Sequence, residues 1–148
     1  MEKILRLLRI QQEHTNQKGF SLIELLIVMV ILGLLASLVG PKMFGKLGMA
    51  KQKTAKTQIE MLMTAMDSYR LDVGKYPSSQ EGLEALVDNN GSDKWAGPYL
   101  QKGVPKDPWD YEYHYSNPGE HGEIDIYSEG ADGQSGGEGE NADVGSWE

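Results

Sequence analysis

Residues 19–40 read Gly19-Phe20-Ser21-Leu22-Ile23-Glu24-Leu25-Leu26-Ile27-Val28-Met29-Val30-Ile31-Leu32-Gly33-Leu34-Leu35-Ala36-Ser37-Leu38-Val39-Gly40, with Lys18 just before them. The 21 residues from Phe20 to Gly40 are an apolar run broken by a single charge, Glu24. As a helix rising about 1.5 Å per residue, the run spans ~31 Å, enough to cross a bilayer core. A charge inside such a span costs roughly 2.5–3.5 kcal/mol at a helix centre, which makes it a functional feature by default. No cation lies within the run, so the partner of Glu24 must come from outside the helix. A secretory signal has a shorter apolar core, roughly 7–15 residues, with small residues after it at the cleavage site. Here the processing signal, Gly19-Phe20, precedes the run. Cleavage there leaves the helix on the mature chain with Phe20 as its first residue.

Lys18-Gly19-Phe20-Ser21-Leu22-Ile23-Glu24 resembles the class III signal of type IV pilins and of type II secretion pseudopilins. The resemblance implies a cut after Gly19 by a prepilin peptidase and N-methylation of Phe20. It also implies that Glu24 pairs with the N-terminal amine of a neighbouring subunit in a filament. The ordinary alternative is a signal-anchor with a tolerated Glu.

Residues 1–19 form a leader, and 129 residues come after it. Of these, roughly 75 remain for a globular region once the helix is set aside, near the lower size for independent stability. Domains this small often need a staple. The chain has no cysteine, which leaves a metal or assembly. Charge is uneven: the leader is net +2, with Lys3, Arg6, Arg9 and Lys18, and the rest is net −10. No Lys or Arg occurs after Lys106, while residues 107–148 hold 12 Asp or Glu. Such a surface excludes nucleic acid as a partner and suits cations, a basic partner or plain solvation. Lysines flank the apolar run on both sides, so counting them does not orient it. A long C-terminal domain translocates largely regardless of charge, and the resemblance implies a cytoplasmic N-terminus.

Beyond the span, Gly40-Pro41 is expected to kink the helix or melt a turn, because proline removes a hydrogen bond and clashes with the preceding turn. Gly45 and Gly48 weaken the next two turns of helix. Ala55, Ile59, Leu62, Met66, Tyr69 and Val73 then recur at spacings of four and three, one face of a helix turned to a core. Met61 and Met63 fall off that stripe, and Gly74 is a stop signal. This gives a transmembrane and assembly helix over 20–40, its continuation over 41–73 and a small α+β globular region over 74–148.

In that region, residues 76–87 read as a turn and a short helix, with Ser78 and Glu81 at capping-box spacing. Tyr111, Tyr113 and Tyr115 alternate with polar residues as a strand does. Residues 123–128 read as a second strand, and residues 118–122 turn between them. A long helix followed by a small antiparallel sheet is α+β. The order of Tyr76-Pro77, Gly97-Pro98-Tyr99-Leu100, Pro105-Lys106-Asp107-Pro108-Trp109 and Asp125-Ile126-Tyr127-Ser128 resembles the major, G-type branch of the type II secretion pseudopilins. Asp110 stands where that branch usually has glycine, which puts the local turn in question.

Residues 130–143 crowd oxygen donors among glycines. Calcium takes six to eight oxygens at about 2.3–2.6 Å, and glycines let carbonyls converge. Asp132 and Asp143 stand at the first and twelfth places of an EF-hand-like spacing. Gln134 and Gly136 at the third and fifth, and the lack of flanking helices, make that match poor. An isolated repeat-in-toxin turn is a poor match as well, because those turns work as stacked arrays. The resemblance implies one calcium here, held by the side chains of Asp132 and Asp143 and by backbone carbonyls matching Glu129 and Gln134, with Asn141 as a further donor. The alternative is a flexible acidic loop without metal.

Catalysis finds little support. Beyond the leader the only imidazoles are His114 and His121, and no nucleophile elbow or phosphate loop occurs. A membrane-anchored hydrolase is the weakest alternative. A type IV pilin or a minor pseudopilin is nearer, but major type IV pilins commonly carry a C-terminal disulfide, and tip-capping minor pseudopilins lack the Glu in at least one branch. The expected function is a non-enzymatic subunit of a periplasmic pseudopilus anchored in the bacterial inner membrane. Its expected partners are other copies of itself, the prepilin peptidase, minor pseudopilins and the inner-membrane assembly platform.

Overall fold

In a computed structural model of the chain, residues 19–148 are described; residues 1–18, which hold all of the expected leader but Gly19, lie outside the described residues. The chain forms two compact units, one ending at Gly40 and the other Pro41–Glu148. A single helix, α1 (Leu22–Val73), forms most of the described part of the first and opens the second.

The start of α1 is fixed by a capping box. Ser21 N–H donates to Glu24 Oε2 at 2.8 Å, and Ser21 Oγ accepts from Ile23 N–H at 3.3 Å. These contacts satisfy backbone donors that the first turn leaves open. From there to Gly40 the unit has no core of its own: its large apolar side chains are exposed, among them Phe20 at 80% and Leu22 at 87%. This stretch is long and apolar enough to cross a membrane, and none of it is buried within the chain.

The helix is continuous through Pro41, so of the kink or melted turn expected there, the turn does not melt. Proline removes one backbone hydrogen bond, but its φ near −65° is already helical. The loss of one bond does not interrupt a helix of 52 residues.

In the second unit the predicted stripe is the core face. Ala55, Ile59, Leu62, Met66 and Tyr69 are each 1% exposed or less. Val73 and Met63 pack against this core from its margin, while Met61 is exposed. The helix stops at Gly74, where φ is +93° and the N–H donates to Arg70 O. A left-handed residue at that position favours glycine.

The Ser78–Glu81 capping box forms, with Ser78 N–H and Oγ–H both donating to Glu81 Oε2 and Glu81 N–H donating to Ser78 Oγ. Those contacts hold the Glu81 carboxyl below its ordinary pKa. The box leads into a turn and then a short 3-10 helix, Leu83–Leu86, where a turn and a short helix were expected. Gly82 at φ +63° breaks the sequence of helical dihedrals.

The predicted hairpin is present but shorter than its sequence pattern. Strand β1 is His114–Ser116 and β2 is Asp125–Ser128, antiparallel, with Tyr115 opposite Ile126. Tyr111 lies outside the strand because its N–H turns to Asp107 Oδ1 and its carbonyl accepts from Asp107 N–H. A third strand, β3 (Val144–Gly145), was not legible in the sequence; it pairs with β2, giving the order β1-β2-β3. Two residues are too few to show any alternation.

Polar tethers join these segments to α1. Tyr76 OH donates to Asp67, Tyr99 OH to Asp72 and Tyr113 OH to Gln58, all at 2.6–2.8 Å. Ile126, Leu86 and Val144 close the core over the stripe.

Candidate functional site: the membrane-proximal end and the acidic loop

The N-terminal residues stand as the helix start dictates. Gly19 precedes α1 and Phe20 is exposed. The Glu24 carboxylate is folded back by the capping box onto Ser21, one residue after Phe20. The spacing Ser21-x-x-Glu24 is itself a capping-box signal in the sequence.

The acidic loop is a closed structure. Ala131 N–H donates to Glu140 O at 3.1 Å, and Asp143 N–H donates to Gly136 O at 3.2 Å. Gly136 N–H in turn donates to Asp143 Oδ2 at 2.8 Å, and Gln134 N–H to Asp132 Oδ1 at 3.2 Å. Glycine is required where the chain crosses itself. Gly137 has φ +86°, and a Cβ there would stand 2.5 Å from the Asn141 carbonyl oxygen; at Gly130, φ +69°, it would meet the same oxygen at 2.8 Å.

Of the five residues expected to hold a metal, Asp143 is the most informative. Its Oδ1 is buried and has no hydrogen-bond partner among the described residues. Buried polar atoms are nearly always paired, so an orphan carboxylate oxygen marks a missing donor or cation. Glu129 is half-buried, whereas Asp132, Gln134 and Asn141 are exposed. The Glu129 carboxylate turns away to His114 Nε2 at 3.4 Å, so any role in the loop falls to its backbone carbonyl. No group of three His, Asp or Glu side chains placed to hold a metal occurs among the described residues. What the loop offers is two carboxylates and backbone carbonyls held in a glycine-lined turn. That oxygen-only donor set fits a hard divalent cation.

Three sets of contacts in and around the loop were missed by sequence reasoning. Gln52 on α1 donates through Nε2 to Gly139 O and to Ala142 O, the latter at 3.2 Å. The Glu140 side chain covers the buried Gly48 and accepts from Trp109 Nε1 at 3.1 Å. Asp107 is 5% exposed and accepts from Trp109 N–H, Tyr111 N–H and Ser128 Oγ–H. No spacing in the sequence connects residues this far apart.

Both imidazoles among the described residues are engaged in structural contacts. His114 stacks on Tyr127 at 4.8 Å. His121 stacks on Trp147 at 3.9 Å and lies 3.1 Å from the buried Asp125 carboxylate.

Comparison with known proteins places this arrangement. Residues 42–147 match the family described as type II secretion system protein G, and residues 14–40 match the prokaryotic N-terminal methylation motif. The chain is 46% identical over 136 residues to the type II secretion system core protein G of Vibrio cholerae, covering 89% of this chain and 92% of that one. It is 44% identical over 140 residues to the core protein G of Pseudomonas aeruginosa, covering 92% and 99%. Its fold is similar to the crystal structure of the major pseudopilin of the type 2 secretion system of enterohaemorrhagic Escherichia coli. That match has a TM-score of 0.56 and 34% identity, over 70% of this chain and 87% of that one. A methylation motif ahead of an exposed apolar helix, and a three-stranded α+β unit matched over nearly its whole length, agree on one answer: the chain belongs to the type II secretion system protein G family and is a pseudopilus subunit of that system.

Proposed function

We propose that the chain works as a non-enzymatic, calcium-stapled subunit that polymerises through residues 20–40. The observation that carries this is the first unit itself, a helix that is apolar all round with none of its span buried within the chain. Burial stabilises by about 25 cal/mol per Å² of apolar surface, so such a helix belongs in lipid or against other copies of itself. The prepilin peptidase cuts between Gly19 and Phe20 and methylates the new amine. Glu24 then meets that amine on a neighbouring copy, which supplies the cation the apolar run lacks. The capping box supports this reading, because it holds the carboxylate at the N-terminal end of α1 with only Oε2 engaged.

In this arrangement the N-terminus is cytoplasmic, residues 20–40 cross the inner membrane and Pro41–Glu148 is periplasmic. The assembled filament, with minor pseudopilins and the inner-membrane platform, supports export of folded proteins across the outer membrane. In the loop, Asp132 and Asp143 hold one calcium with the carbonyls of Glu129, Gln134 and Asn141. The ion neutralises clustered carboxylates and cross-links a loop that no disulfide can tie. Mass spectrometry of the mature protein tests the processing step: a methylated Phe20 start is expected, and an intact Met1 start would overturn it. Electron microscopy of cells producing Glu24→Ala should show filaments lost with the processed subunit still in the membrane.

A further inference from the structure

We infer that Gln52, on α1, is a positioning residue that sorts the carbonyls of the acidic loop, turning two of them to the helix and leaving the others free to face a cation. This rests on the reading of that loop as a calcium site. A side-chain amide has two N–H donors in one plane. Here it reaches Gly139 O and Ala142 O, two carbonyls three residues apart in the loop. A carbonyl oriented to that amide has its favourable direction committed to α1. Of the two carbonyls between them, Glu140 O is taken by Ala131 N–H, and Asn141 O lies against Gly130 and Gly137 in the glycine-lined turn. Four consecutive carbonyls are thereby divided, two to Gln52, one to Ala131 and one to the glycine-lined turn.

The contact at Ala142 has a second effect. Ala142 C=O and Asp143 N–H belong to one planar peptide unit. Gln52 holds its oxygen end, and Gly136 O accepts from its nitrogen end. With both ends fixed, the unit sets where the Asp143 side chain starts, and Asp143 Oδ1 is the buried oxygen without a partner. Groups that orient metal ligands from behind typically change affinity about 10–100-fold when removed.

The test uses the full-length protein in detergent, titrated with calcium. Trp109, whose indole N–H donates to Glu140 in the loop, serves as the fluorescent reporter, and thermal melting by circular dichroism is recorded with calcium and with EDTA. Gln52→Glu keeps shape and helix propensity but puts an oxygen against Gly139 O and Ala142 O. It is expected to weaken calcium binding about tenfold, and Gln52→Ala by less, with helical content unchanged. Gln58→Ala, which removes the acceptor for Tyr113 OH, should lower the melting temperature equally with and without calcium and leave the affinity alone. Wild-type affinity in both Gln52 variants would overturn the inference while leaving the calcium reading intact. A wild type with no calcium response would overturn both. If Gln52→Glu does not fold, Gln52→Ala decides.

Discussion

Asp110 has φ +76° and is the one non-glycine residue with positive φ among the described residues. The left-handed region costs an L-residue roughly 1–2 kcal/mol, less for Asp than for branched residues. Glycine removes that strain but adds unfolded-state entropy of about 0.4–1 kcal/mol. The unfolding free energy of the chain should therefore rank Asp110→Gly at or above wild type, and Asp110→Val below it by about 1 kcal/mol or more. The doubt that the sequence raised at Asp110 is thus resolved: the turn forms, with the strain in place. Asp107 has the larger stake. Its carboxylate serves two backbone N–H groups and the Ser128 hydroxyl in a buried setting. Asp107→Ala strands all three donors, and chemical denaturation should show a loss of about 3 kcal/mol. Asp125 links the sheet to pH. Burial pushes its pKa up, but this is outweighed by hydrogen bonds from the His121 N–H and ring and from the Glu120 N–H, and by the His121 charge, so the net shift is downward. A carboxyl with a lowered folded pKa stabilises above its unfolded value of about 4 and loses that contribution as pH falls through the folded value. Melting in EDTA should decline as pH drops from about 5 to 3, and Asp125→Asn should flatten that decline.

At the level of elements, α1 is two helices in one covalent segment. Its first part is apolar on every side, whereas its second part is amphipathic with a single buried stripe. Leu62 is 0% exposed and Leu71 is 85% exposed on the same helix. Leu62→Ala should cost about 3 kcal/mol of unfolding free energy through lost burial and a cavity. Leu71→Ala should stay within about 0.5 kcal/mol. Equal losses for the two would contradict the assigned core face. Residues 76–87 show the limit of a local signal. The capping box is real, but a glycine at positive φ one residue later leaves only a 3-10 turn.

For the whole molecule, the striped helix segment, the hairpin and the acidic loop form one cysteine-free unit, Pro41–Glu148. Calcium bound only by the folded state stabilises by about 2.7 kcal/mol at a hundredfold excess over Kd. EDTA should therefore lower the wild-type melting temperature and impair filament assembly. Asp132→Ala and Asp143→Ala should melt near the EDTA value, with no further response to chelation. A wild-type melt unchanged by EDTA would remove calcium from the account while leaving the fold and the family standing.

The sequence by itself determined the features that depend on composition and on near neighbours in the chain. These are the membrane-length helix, the period of its buried stripe, the stop at Gly74, the hairpin and the family resemblance later matched by comparison. Each is encoded within a few turns of helix or a pair of adjacent strands, where spacing and dihedral preference act directly. Tertiary structure decided the contacts between segments far apart in the chain. Strand β3 exists because β2 offers an edge, Asp143 Oδ1 is orphaned because the loop folds over it, and Gln52 meets carbonyls 87 and 90 positions away. Hydrogen bonds and burial act through space, and a linear pattern records only those whose partners also lie close in sequence.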